Sequence, residues 1–87
     1  MDKVLISRTF EKEFRRLDAK TRTKVKVALS ELGIDPRQPR PNADIKTLAD
    51  TDPQKYRLRI GDLRIIYTID IEKVLVIEIF SRGRGYR

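Results

Sequence analysis

Residues 56–69, YRLRIGDLRIIYTI, constrain this chain more than any other stretch. Apolar and polar residues alternate on both sides of Gly61-Asp62. That dipeptide suits a two-residue hairpin turn, because glycine reaches positive φ at no steric cost. With the turn placed there, Ile60 pairs with Leu63, Arg59 with Arg64 and Leu58 with Ile65. Leu58, Ile60, Leu63, Ile65, Tyr67 and Ile69 then share one face, and Arg57, Arg59, Arg64, Ile66 and Thr68 share the other. Arg59 therefore faces Arg64, and like charges directly opposite on paired strands destabilise the pair. A hairpin that carries this cost points to an anion on its arginine face.

The flanking sequence supplies the other face with something to pack on. Lys3–Ser7 reads as a short buried strand. In RTFEKEFRRLD, Phe10, Phe14 and Leu17 recur at i, i+4, i+7, one face of a helix that Ser7 or Thr9 would cap. Asp18 is the expected N-cap of a second helix, AKTRTKVKVALSELG, with Val25, Leu29 and Leu32 on one face. Gly33 is the expected stop, and Pro36 bars continuation. The two helices, joined at Leu17–Asp18, are expected to form an antiparallel hairpin. Residues 34–54 contain all four prolines and read as ordered loop, with Ile45 and Leu48 docked on the body. Three strands follow, at about 55–61, 63–70 and 74–80. Placing Glu78 outward sends Leu75, Ile77 and Ile79 to the core, which requires an odd-length loop near Ile71–Lys73. The order β-α-α-β-β-β predicts an α+β fold: a small, mainly antiparallel sheet with a helical hairpin on one face, in a single domain over residues 1–87.

Charge decides which partners to consider. Twenty Lys and Arg against thirteen Asp and Glu leave a net charge of +7, which favours a polyanion such as nucleic acid. The chain has no cysteine and no histidine. Disulfides, thiolate metal sites, cysteine nucleophiles and histidine bases are therefore excluded, and Ser7, Ser30 and Ser81 have no histidine to activate them. The acidic residues show no metal-ligand spacing. Met1-Asp2-Lys3 leads into three apolar residues, short of a signal-peptide core, and no apolar run approaches the roughly 18–20 residues of a membrane span. The expectation is a soluble cytoplasmic protein that needs no cofactor.

Three groups of residues are candidates for function. The first is Arg57, Arg59 and Arg64 on the open sheet face, with Arg82 and Arg84 just beyond the last strand. Strand geometry sets Arg57 and Arg59 roughly 6.5–7 Å apart, close to the phosphate spacing of a nucleic-acid strand, and guanidinium forks match phosphate. The plain alternative is a solvated sheet face, against which stand the facing Arg64, the absence of interleaved acids and the basic tail. The second is the tail, SRGRGYR, where Tyr86 could stack on a base between Arg84 and Arg87; the plain alternative is a chain end without a role. The third is the basic helix surface of Arg15, Arg16, Lys20, Arg22, Lys24 and Lys26, interrupted by acids and read first as a solvated face. Phe10, Phe14, Tyr56 and Tyr67 fall at periodic apolar positions and read as core.

The opening strand with its capping serine, TFEKEFRRL, the second basic helix, KYRLRIGDLRIIYTID and VLVIEIFSRGRGY together resemble the RelE/ParE superfamily of toxin–antitoxin toxins over nearly the whole chain. The resemblance, stronger to RelE-like members, implies a metal-independent endoribonuclease that cuts messenger RNA in the ribosomal A site by 2′-hydroxyl attack. It also implies a RelB-like antitoxin, with the ribosome and messenger as further partners and a toxin–antitoxin hetero-oligomer. By resemblance, Arg57 and Arg59 match a basic pair lining the messenger groove, lysines in well-known members, and Arg64 matches the arginine on the reacting phosphate. Arg84, with Arg82 as the alternative, matches the basic residue after the last strand, and Tyr86 the C-terminal tyrosine. Arginine stays charged and is no ordinary general base; Lys55, adjacent, is expected on the opposite face. Two other activities fit the same residues: a ParE-like gyrase inhibitor, and a nucleic-acid-binding domain without chemistry.

Overall fold

The computed structural model describes residues 3–39, 44–49 and 51–81. The elements are β1 (Lys3–Ile6), α1 (Arg8–Arg15), α2 (Ala19–Ile34), β2 (Asp44–Thr47), β3 (Lys55–Ile60), β4 (Leu63–Asp70) and β5 (Lys73–Ser81). They form one open five-stranded sheet in the order β1-β5-β4-β3-β2, in which β1 runs parallel to β5 and every other pair is antiparallel. Both helices lie on one face. Phe10, Val25, Ala28 and Leu32 pack there against Ile45, Leu58, Ile65, Tyr67, Val74, Val76 and Ile79. The α+β architecture expected from the sequence is the one observed.

Both predicted helix starts hold. Ser7 caps α1, its Oγ accepting from the Phe10 N–H at 3.0 Å. Asp18 caps α2, accepting from the Thr21 N–H at 2.7 Å, and the hydrogen bonds from Thr21 hold its carboxyl below the ordinary aspartate value. Arg22 reaches back to the connection between the helices, donating to the Leu17 carbonyl at 2.9 Å and, at 3.4 Å, to the carbonyl of Arg15 at the end of α1, so this member of the basic helix surface holds the inter-helix turn. Gly33 does not stop α2. It is buried inside the helix, which runs to Ile34 and is capped by Asp35. Pro36 follows, also buried, and its carbonyl accepts from the Tyr67 hydroxyl at 2.7 Å, tying the segment after α2 to the centre of the sheet.

The β3–β4 register is the one the turn dictates: Ile60 with Leu63, Arg59 with Arg64, Leu58 with Ile65. Gly61 sits at φ +56° as the first residue of the turn, the conformation glycine is needed for. β5 departs from expectation. The loop before it is Ile71-Glu72, an even two residues between the Asp70–Lys73 pair, with Glu72 at φ 53°. Val74 and Val76, not Leu75 and Ile77, therefore enter the core, and Leu75 is 40 % exposed. The odd residue predicted for the loop lies in the strand instead. Tyr67 faces Val76 and Ile66 faces Glu78, leaving Ile77 as a bulge that returns Ile79 to the core.

Ser7 fixes this bulge. Its N–H donates to the Val76 carbonyl at 2.9 Å, and its hydroxyl donates to the Ile77 carbonyl while capping α1. Ser7→Ala removes the cap and the bond to Ile77 together, so it should destabilise the domain by about 1–2 kcal/mol. A urea titration with unchanged slope and a lower midpoint is the expected result.

Candidate nucleic-acid interface

The face away from the helices is built by strand alternation in rows across the sheet. One row is Asp44–Arg59–Arg64–Phe80; the next is Lys46–Arg57–Ile66–Glu78. Lys55 lies two residues before Arg57 on the same strand, and so joins this face rather than the opposite one, since side chains repeat every second residue. The centre of the face is shielded: on β4, the middle strand of five, Arg64 is 7 % exposed and Ile66 6 %.

The arginines differ in their surroundings. The Arg57 side chain is 18 % exposed, with Nη2 3.6 Å from Asp44 Oδ2 and its Nε buried without a hydrogen-bond partner. Arg59 is half exposed, with Nη1 3.9 Å from the same oxygen. Such partly solvated pairs are worth up to about 1 kcal/mol each. Arg64 turns toward the hairpin turn, where Nη1 lies 3.3 Å from the carbonyls of Gly61 and Leu63. Both bonds are longer than the usual 2.9–3.0 Å and yield readily to a better acceptor.

This geometry corrects one expectation. The arginine face is not free of acids: Asp44 stands beside Arg59 in the ladder. It comes from β2, a strand inside the proline-rich stretch read as loop. The DIKT alternation, with Ile45 buried and Lys46 outward, was the available signal, but four residues carry it weakly. Opposition between Arg59 and Arg64 is thus eased within the protein, by Asp44 on one side and the turn carbonyls on the other. Of the other site residues, Arg82, Arg84, Tyr86 and Arg87 lie outside the described residues. On the helix surface, Arg15 and Arg16 pair with Glu11 and Glu13 at 3.6 and 3.8 Å, as expected of a solvated face. Among the described residues, no group of Asp and Glu could hold a metal ion, and no helix is long and apolar enough to cross a membrane.

Residues 4–86 match the family model for the ParE toxin of the type II toxin–antitoxin system, parDE. The chain belongs to the RelE/ParE toxin superfamily. The fold is that of solved RelE toxins. The archaeal RelE–RelB complex from Pyrococcus horikoshii OT3 aligns at TM-score 0.82 and 26% identity, over 95% of this chain and 97% of that one. The RelB–RelE complex from Methanococcus jannaschii gives 0.76 and 21%, over 94% of each chain. The intact E. coli RelBE complex gives 0.67 and 22%, over 97% of this chain and 100% of that one. No curated protein matches the chain. In this RelE/ParE toxin, the rows of arginines occupy the sheet face left open by the helices.

Proposed function

We propose that this RelE/ParE toxin is a ribosome-dependent endoribonuclease that cuts messenger RNA in the A site. The observation that carries the reading is the placement of Arg57, Arg59 and Arg64 together on the helix-free face. In the reaction, a ribose 2′-oxygen attacks the adjacent phosphorus and the bond to the 5′-oxygen breaks. The products are a 2′,3′-cyclic phosphate and a 5′-hydroxyl, which takes up a proton as the 2′-hydroxyl loses one. Arg57 and Arg59 would hold the messenger backbone. Arg64, released from the turn carbonyls, would meet the charge that builds on the phosphorane. By the resemblance, Arg84 and Tyr86 would act with them, and Arg82 and Arg87 would bind the RNA backbone.

The partners follow from the relatives. In several solved complexes RelE is bound to RelB, and a RelB-like antitoxin, acidic where it meets the arginines, would cover the arginine face of this chain in a cytoplasmic hetero-oligomer. A second reading, inhibition of DNA gyrase, is favoured by the ParE family model and by arginines where the resemblance leads one to expect lysines. Induction of the toxin followed by pulse-labelling separates the two. Collapse of amino-acid incorporation before any change in thymidine incorporation is expected. DNA breaks with translation initially intact would support gyrase instead.

A further inference from the structure

We propose that Asp44 is a built-in counterion of the arginine face, standing where a phosphodiester oxygen binds, so that RNA must displace it. The proposal rests on reading this face as an RNA-binding surface. One carboxylate oxygen, Oδ2, lies 3.6 Å from Arg57 Nη2 and 3.9 Å from Arg59 Nη1. An oxygen shared by two guanidiniums two residues apart on one strand imitates a bridging phosphate contact. The imitation is incomplete. Arg57 reaches Asp44 through one nitrogen, and its Nε–H is buried with no acceptor. Asp44 turns only Oδ2 to the arginines, whereas a phosphodiester with both non-bridging oxygens toward Arg57 can take Nε and Nη of one arginine together. Asp44 is also replaceable: its side chain is 47 % exposed, at the start of an edge strand. Removing its charge should therefore leave the face intact and free both arginines for RNA.

The test is fluorescence anisotropy of a labelled single-stranded oligouridine across a salt series, with circular dichroism as the check on folding. Asp44→Asn should bind about 3–10-fold tighter than wild type, and its log–log salt slope should steepen by about 0.7, the value for one more phosphate neutralised on a single strand. Combining it with Arg57→Ala and Arg59→Ala should abolish the gain. Glu78→Gln removes a charge from the same face two strands from Arg57 and should change affinity less than twofold. Equal gains from Asp44→Asn and Glu78→Gln would reduce the effect to net charge and overturn the proposal. So would unchanged or weaker binding by Asp44→Asn, although weaker binding by the arginine variants would leave the RNA-binding reading standing. If the arginine variants bind like wild type, the reading itself fails and the proposal falls with it.

Discussion

Arg64→Ala should lower A-site cleavage about 10²–10³-fold, the usual cost of removing one donor aimed at developing charge in a transition state. The expectation follows from its position. Arg64 stands between Arg59 and Phe80 on the central strand, and its guanidinium rests on two long bonds to the turn. The chain has no histidine, and an arginine cannot take the 2′-hydroxyl proton. Lys46 and Lys55 share the arginine face, so the role of the arginines in the proposed site is charge stabilisation and not proton transfer. Arg64→Lys keeps the charge but loses the fork, so its rate should fall between the two. Single-turnover cleavage at saturating toxin checks both variants. Because Arg64 is 7 % exposed, near-ultraviolet circular dichroism must show native packing in each. A folded Arg64→Ala variant that cuts at the wild-type rate would remove Arg64 from the site.

Leu58→Ala should cause a large loss of stability. Leu58 is 1 % exposed, lies on β3 between Arg57 and Arg59, and points to the opposite face, into the core under the helices. Truncation leaves a cavity among Ile45, Ile65 and the α2 side chains, and such changes cost about 2–5 kcal/mol. A small domain has a stability of roughly 5–15 kcal/mol, so much of it would go. Urea denaturation of wild type and variant measures the loss. A midpoint shift equivalent to less than about 1 kcal/mol would mean that the helices do not pack on this face of β3.

These two predictions rest on the best-read part of the sequence. The Gly61-Asp62 turn has few alternatives, and one turn fixes the pairing and the faces of twelve residues through strand periodicity, from Lys55–Thr68 to Ile60–Leu63. Asp18, and Ser7 as one of two candidates with Thr9, were legible as caps because such side chains replace backbone acceptors at the helix start. β5 was not legible. KVLVIEIF is apolar at both parities, so only Glu78 marks a face, and one polar residue cannot show whether the odd residue sits in the turn or the strand. The bulge at Ile77 is held by Ser7, seventy residues away in sequence, a contact no local pattern carries. Gly33 misled because a glycine near a helix end resembles a stop unless burial requires its small size. Asp44 was hidden by the prolines around it. It changes the account of the arginine face most, because it places an acid in a row read as purely basic.

If the arginine face acts on messenger RNA in the ribosome, primer extension on a message held by programmed ribosomes will read the cuts. The purified toxin should produce cuts within the A-site codon, ending in a 2′,3′-cyclic phosphate on one side and a 5′-hydroxyl on the other. No cuts from a folded toxin that still arrests growth and traps gyrase on broken DNA would contradict the claim.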